Sequence, residues 1–361
     1  MLTGFSPAHT TPKRDVVAYV FPQNRTLAAN EIAAEKVTRI NYAFANIAKG
    51  NMVEGFPHDA ENFAVLTGLK RLNPDLQVLI SVGGWSWSGG FSDMALTQET
   101  RATFIESAAG FINKYGLDGI DIDWEYPGLP GAGNVNRPED DQNYTALMKE
   151  LRARLDSEGK QHGHRLLLSV AAGASAQFLA HTEMKKMQRY VDSVNLMSYD
   201  YYEPTSDQIT GHHAPLYTNP ADPKHVSVDA SVQAFEAAGV PARKIVLGIP
   251  FYGHAWSQVP PASNGLFKAG RKADLPADYR SIAESLLTSG FALYWDPVSS
   301  VPYLYNSATQ TFVSYEDPQS IRLKCRYVLQ HKLAGVMFWE YGNDLNGALL
   351  NAIDSALKNG R

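Results

Sequence analysis

Asp118-Gly119-Ile120-Asp121-Ile122-Asp123-Trp124-Glu125 is the stretch from which the rest of this chain is read. Alternate residues of a β-strand face the same side, about 6.6 Å apart at a rise of about 3.3 Å per residue. A strand here lines up Asp121, Asp123 and Glu125 on one face, with Ile120, Ile122 and Trp124 on the other. Asp118 has the opposite parity and falls at the strand's beginning. Carboxyl groups this close cannot all ionise cheaply, so at least one pKa is pushed up, which makes a proton donor near neutral pH. A solvated acidic edge strand would not be backed by large apolar residues. A Mg²⁺ or Ca²⁺ site would need further oxygen ligands that one strand does not supply.

Outward from this stretch, apolar runs alternate with helical patterns. Short strand-like runs are expected at 16–20, 40–47, 77–82, the acidic stretch itself, 166–172, 191–199, 245–252 and 335–339. Helical periodicity is expected at 60–72, from an N-cap at Thr97 to near Lys114 with Gly116 beyond, and at 139–157, 177–189, 227–238, 318–331 and 344–357. Eight strands mostly followed by helices predict an α/β fold, a (β/α)8 TIM barrel. An open doubly wound sheet would normally carry a GxGxxG loop after a strand, and the chain has none. Residues 1–14 read as a disordered leader, and 15–252 with 318–361 as the catalytic barrel. Residues 253–317, with Trp295, Tyr303 and Tyr305, read as a small α+β insertion containing a hairpin. Loops this long are usually functional, so the insertion is expected to wall one side of a cleft.

With 361 residues and 44% hydrophobic composition the chain can bury a large core. Its net charge of -5 argues against nucleic acid or an anionic membrane as partner. No run approaches a membrane span, and the N-terminal stretch lacks a hydrophobic signal core. One cysteine, Cys325, allows no intrachain disulfide and is expected to be packed and inert. His212 and His213 have no third ligand at useful spacing, so they are read as structural and no metal or cofactor is expected.

In such barrels, reacting groups gather at the carboxyl ends of the strands. Collected there are Tyr19, Phe44, Ser81 with Gly83-Gly84, the acids followed by Tyr126, Met197-Ser198-Tyr199-Asp200, Tyr252 and Trp339. Trp85, Trp87 and Trp295 are candidates for stacking on more distant units. Carboxylates among aromatic rings suit a sugar: acids for the glycosidic bond, rings for the apolar pyranose faces.

Residues 118–125 resemble the DxxDxDxE signature of family 18 glycoside hydrolases, the chitinases. Ser81-Val82-Gly83-Gly84 resembles that family's SxGG strand, and Met197–Asp200 and Phe338-Trp339-Glu340 its later strand-end motifs. The resemblance runs from about residue 15 to 357 and includes the insertion. It implies hydrolysis, with retention, of β-1,4 bonds in chitin or chitooligosaccharides through the substrate's own N-acetyl group and an oxazolinium ion, with transglycosylation open. Glu125 matches the general acid and Asp123 the residue that orients the acetamido group. Asp121 matches the partner sharing a proton with Asp123, and Tyr199 the hydroxyl positioning the acetamido group. Asp200 and Met197 match positions around the same subsite, and Trp339 the floor under the distorted sugar. Tyr19, Phe44, Tyr126 and Tyr252 complete the expected pocket. A sugar-binding lectin is disfavoured because all four signature acids stand. An N-glycan endo-acting enzyme is disfavoured by the insertion. Secretion is expected from the substrate, and a monomer is expected.

Overall fold

A computed structural model describes residues 14–344 and 346–359; the expected leader lies almost wholly outside them. The eight barrel strands are β1 (Asp15–Val20), β2 (Arg39–Ala48), β3 (Gln77–Gly83), β4 (Gly119–Asp123), β5 (Leu167–Gly173), β6 (Ser193–Met197), β7 (Ile245–Pro250) and β8 (Gly335–Trp339). Each pairs in parallel with the next, and β1 pairs with both β2 and β8, so the sheet closes. An open doubly wound sheet is thereby excluded. A short strand, Asn51–Val53, adds antiparallel to the end of β2.

The pleat of β4 follows the alternation in its sequence. Ile120, Ile122 and Trp124 are buried on the outer side, where Trp124 stacks on Phe91 at 5.2 Å and meets Tyr144 edge-on at 5.4 Å. Helices cover this side, chiefly Gln98–Tyr115 and Asp140–His162. Thr97 caps the first of these by accepting from the Thr100 N–H, and Gly116 ends it in the left-handed region at φ 62°.

Some helix boundaries differ from expectation. The helix predicted to stop at 157 runs on to His162, because Gly159 is a packing glycine rather than a terminator: a Cβ there would lie 2.6 Å from the His164 carbonyl oxygen. The helix expected over 177–189 is two short pieces, Ala176–Ala180 and Met184–Met187. Between them the Thr182 hydroxyl donates to the Phe178 carbonyl, competing with the backbone ladder. The last helix begins at Ala348 rather than 344, and Asp344 instead accepts from the Leu349 and Leu350 N–H groups at its start.

Between β7 and the helix Pro318–Gln330 stands a separate antiparallel sheet, in the order Arg271–Lys272, His254–Ser257, Thr311–Ser314, Val301–Asn306, Ala292–Asp296. Its aromatic residues are spent on a small core of their own, with Trp256, Tyr303, Tyr305 and Phe312 packed on Tyr202. Cys325 is buried in Pro318–Gln330, where burial pushes its thiol up to about 12. Among the described residues, no helix is long and apolar enough to cross a membrane.

Candidate active site

The carboxyl ends of the barrel strands open into a cleft of about 1510 Å³. Asp121 stands lowest, fully buried. The strands on either side of β4 place Ser81 and Ser169 level with it. Both hydroxyls donate to its carboxylate, at 2.8 and 2.5 Å; the Tyr19 hydroxyl donates at 2.9 Å and the Asn195 amide at 3.1 Å. Burial raises the Asp121 pKa, and these hydrogen bonds oppose the rise.

Asp123, one strand step higher, is 4% exposed and differs sharply. Its Oδ1 has no hydrogen-bond partner among the described residues. Burial first, then the charges of Glu125 and Asp121, push its pKa well above the ordinary carboxylate range. Asp121, by contrast, receives its four hydrogen bonds from Tyr19, Ser81, Ser169 and Asn195.

Glu125 lies just past the end of β4. Its backbone N–H donates to the Ser88 hydroxyl at 2.9 Å, and its carbonyl accepts from Asn134 at 2.8 Å. Gly131 packs against the same carbonyl, where a Cβ would come within 2.2 Å. The backbone is thus held on two sides. Burial pushes the Glu125 carboxyl up to about 7, eased by the Tyr126 hydroxyl and reinforced by the Asp200 charge. A carboxyl that keeps its proton near neutrality, at the mouth of a cleft, can donate it to a bound substrate.

The glycines of β3 are dictated by this wall. A Cβ at Gly83 would sit 2.3 Å from the Asp123 carbonyl oxygen, and one at Gly84 would enter the Phe44 ring at 2.6 Å. Ser81 and Gly84 do not line the cleft: Ser81 acts through Asp121, and Gly84 makes room for Phe44. Phe44 in turn stacks on Trp339 at 5.4 Å and 22°. Tyr19 and Phe21 reach the same indole at 5.8 and 5.5 Å, so Trp339 is the centre of an aromatic floor.

Opposite the acids, Tyr199 and Asp200 follow β6. The Tyr199 ring lies over Gly248, where a Cβ would be 2.9 Å from it. Asp200 accepts from the Tyr252 hydroxyl at 2.7 and 2.8 Å and contacts His254 Nε2 at 2.8 Å. Burial opposes its ionisation, but the His213 and His254 contacts overcome this and hold the carboxyl well below the usual range. Met197, Tyr126 and Trp85 also line the cleft.

Two expectations are corrected. Among the described residues, none between 253 and 317 lines this cleft, and Trp295 sits half-buried on the outermost strand of the insertion's own sheet. Tyr303 and Tyr305, which suggested a wall with it, are core. The insertion reaches the site from behind, through His254 on Asp200, the Asp278 bridge to Tyr252 and the Ser314 hydroxyl that accepts from the His213 N–H. The second correction concerns the histidines. His212 is structural as expected, 3.1 Å from Asp296, but His213 meets Asp200 and His254 in space, which sequence spacing did not reveal. Sequence reasoning also missed Phe21, Phe56, Ser169 and Asn195. Alternation along β5 and β6 would have pointed Ser169 and Asn195 inward; Phe21 and Phe56 lie in loops with no periodic signal.

Comparison with known proteins gives a consistent result. The profile of "Glycosyl hydrolases family 18" matches residues 15–344. Chitinase A1 of Niallia circulans is 41% identical over 317 residues, 83% of this chain; the match spans 45% of that protein, so the chain covers less than half its length. A family 18 N-acetylglucosaminidase from Paenibacillus barengoltzii superposes with a TM-score of 0.87 at 41% identity, covering 95% of this chain and 99% of that one. Chitinase ChiA74 from Bacillus thuringiensis superposes with a TM-score of 0.91 at 31% identity, covering 96% and 70%.

Proposed function

Because this chain belongs to family 18 of the glycosyl hydrolases, we propose that it is a chitinase that cleaves β-1,4 linkages between N-acetylglucosamine units of chitin and chitooligosaccharides. The observation that carries this reading is the graded set of acids on β4. Asp121 is saturated by donors, Asp123 is buried with an open oxygen, and Glu125 holds its proton up to about 7.

In this reading a sugar rests on Trp339 with its acetamido group turned toward Asp123 and Tyr199. Glu125 gives its proton to the glycosidic oxygen as the bond to the anomeric carbon breaks. The acetamido carbonyl oxygen attacks that carbon and forms an oxazolinium ion, so no protein nucleophile is needed. Asp123 hydrogen-bonds the amide N–H and offsets the positive charge that develops there. Water, deprotonated by the Glu125 carboxylate, then opens the ring from the same side and returns the proton to Glu125. Retention follows from the two displacements. Where a sugar hydroxyl takes the place of water, the result is transglycosylation. Tyr19, Phe44, Tyr126, Met197, Asp200 and Tyr252 shape the subsite. A polymeric substrate of this kind lies outside the cell, and action there is part of the proposal.

A second reading is favoured by one observation: the Paenibacillus barengoltzii relative, similar over 99% of its chain, is an N-acetylglucosaminidase. Removal of single units from chain ends would use the same acids. A time course of products from an end-labelled chitin hexamer separates the two. Internal cleavage giving dimers, trimers and tetramers supports the chitinase; monomer as the sole early product supports the exo-acting alternative; no product at all sinks both.

A further inference from the structure

Behind the floor of the cleft, three side chains from separate segments converge. Asp200 follows β6, His213 lies in the loop after it, and His254 opens the strand His254–Ser257 of the insertion. One ligand atom from each lies within 4.8 Å of the others. His254 Nε2 is 2.8 Å and His213 Nδ1 3.6 Å from the same Asp200 oxygen, Oδ1. The imidazole centroids are 4.9 Å apart at 71°.

His213 is the group that needs an explanation. Its side chain is 1% exposed, and neither ring nitrogen has a hydrogen-bond partner among the described residues. Burying a polar ring without a partner is costly. A stacking residue of the same shape would fill the space without that cost. His212, next to it, is by contrast engaged with Asp296. The Asp200 side chain is 41% exposed, so the cluster communicates with the cleft.

We infer that Asp200 Oδ1, His213 Nδ1 and His254 Nε2 form a binding site for a divalent transition cation of the Zn²⁺ class. Two imidazole nitrogens and one carboxylate oxygen suit Zn²⁺, Cu²⁺ or Ni²⁺ rather than Mg²⁺ or Ca²⁺. A tetrahedral Zn²⁺ with bonds of about 2.0–2.1 Å sets its ligand atoms about 3.3 Å apart. The two separations from Asp200 Oδ1, 2.8 and 3.6 Å, bracket that value. Three protein ligands leave a fourth position for water or an anion, and one of the three, Asp200, lines the cleft. The ion would draw Asp200 away from the Tyr252 hydroxyl, which bonds it at 2.7 and 2.8 Å. It would also set a positive charge in the sugar subsite, so occupancy inhibits turnover. The inhibition rests on the function proposed above; the binding does not.

The test uses the full chain, stripped with a chelator, titrated with ZnCl2 by calorimetry and with CoCl2 by visible absorption. The expected result is one Zn²⁺ per chain, ligand-field bands of four-coordinate Co²⁺, and loss of hydrolysis that a chelator reverses. His213→Asn and His254→Asn should each weaken Zn²⁺ binding at least tenfold and abolish the Co²⁺ bands, while the exposed His164→Gln changes neither. Should His213→Asn not fold, as judged by circular dichroism, His254→Asn decides alone. Absence of saturable one-to-one binding, or binding that survives these substitutions in a folded protein, overturns the site. Metal binding by a chain that hydrolyses nothing leaves the site standing and removes the proposed function instead.

Discussion

Asp121 and Asp123 face the same way on one strand, two residues apart, yet their surroundings are opposite. Asp121 receives four hydrogen bonds, from Tyr19, Ser81, Ser169 and Asn195, whereas Asp123 Oδ1 receives none. Of the two, Asp123 keeps its proton to higher pH, because hydrogen bonds to a carboxylate favour its charged form and burial without them does the reverse.

The two aspartates should therefore fail differently when replaced. In Asp121→Asn an NH2 takes the place of one carboxylate oxygen, so buried donors on that side lose their acceptor or must turn round, at a cost of about 1–3 kcal/mol for a group left unpaired. Its thermal midpoint should fall clearly. Asp123→Asn should stay near wild-type stability while kcat drops by about a hundredfold or more. Differential scanning calorimetry beside oligomer kinetics checks both. Equal loss of stability in the two variants would contradict the asymmetry.

Glu125→Gln should lower kcat by about 10²- to 10⁴-fold, the range of general acid catalysis. Affinity for a chitin tetramer should be retained, because the Ser88 and Asn134 hydrogen bonds hold the backbone and not the carboxyl. Calorimetric titration of the variant with the tetramer measures this.

The pH dependence has a definite sign. Glu125 must be protonated to act, and its pKa stands at about 7 against an ordinary 4.5. Turnover should fall tenfold per pH unit above about 7. The native state also binds this proton more tightly than the unfolded chain does. Its contribution to stability therefore declines as pH rises from about 4.5 through 7. Glu125→Gln removes that penalty, so its gain in thermal midpoint over wild type should be larger at pH 8 than at pH 5. Melts at the two pH values decide it.

Gly248→Ala tests the packing beneath Tyr199. The added methyl would meet the Leu196 carbonyl oxygen at 2.3 Å and the Tyr199 ring at 2.9 Å. Destabilisation of about 1–3 kcal/mol is expected, together with impaired turnover as the ring is displaced. Denaturant melts read the first and kinetics the second.

Much of this architecture was legible in the sequence. The alternation of 119–123 marked the strand and its two faces, and Thr97, Ser227 and Gly116 marked helix ends at their observed places. The strand-end motifs gathered as the barrel requires. What could not be read has physical reasons. Gly159 has the same letter as a helix stop, but packs against a carbonyl. The aromatics of 253–317 carry no mark that distinguishes a core from a cleft wall, and Trp256, Tyr303, Tyr305 and Phe312 proved to be core. Phe21 and Phe56 join the floor through loops, and His213 meets His254 across elements far apart in the chain.

The most direct measurement is proton NMR of the anomeric signals in the first seconds after chitin hexamer is added. Attack by the acetamido group followed by water, with Glu125 moving the proton and Asp123 bonded to the amide, predicts that new reducing ends appear first as the β-anomer and only later equilibrate. Reducing ends appearing first as the α-anomer would contradict the account.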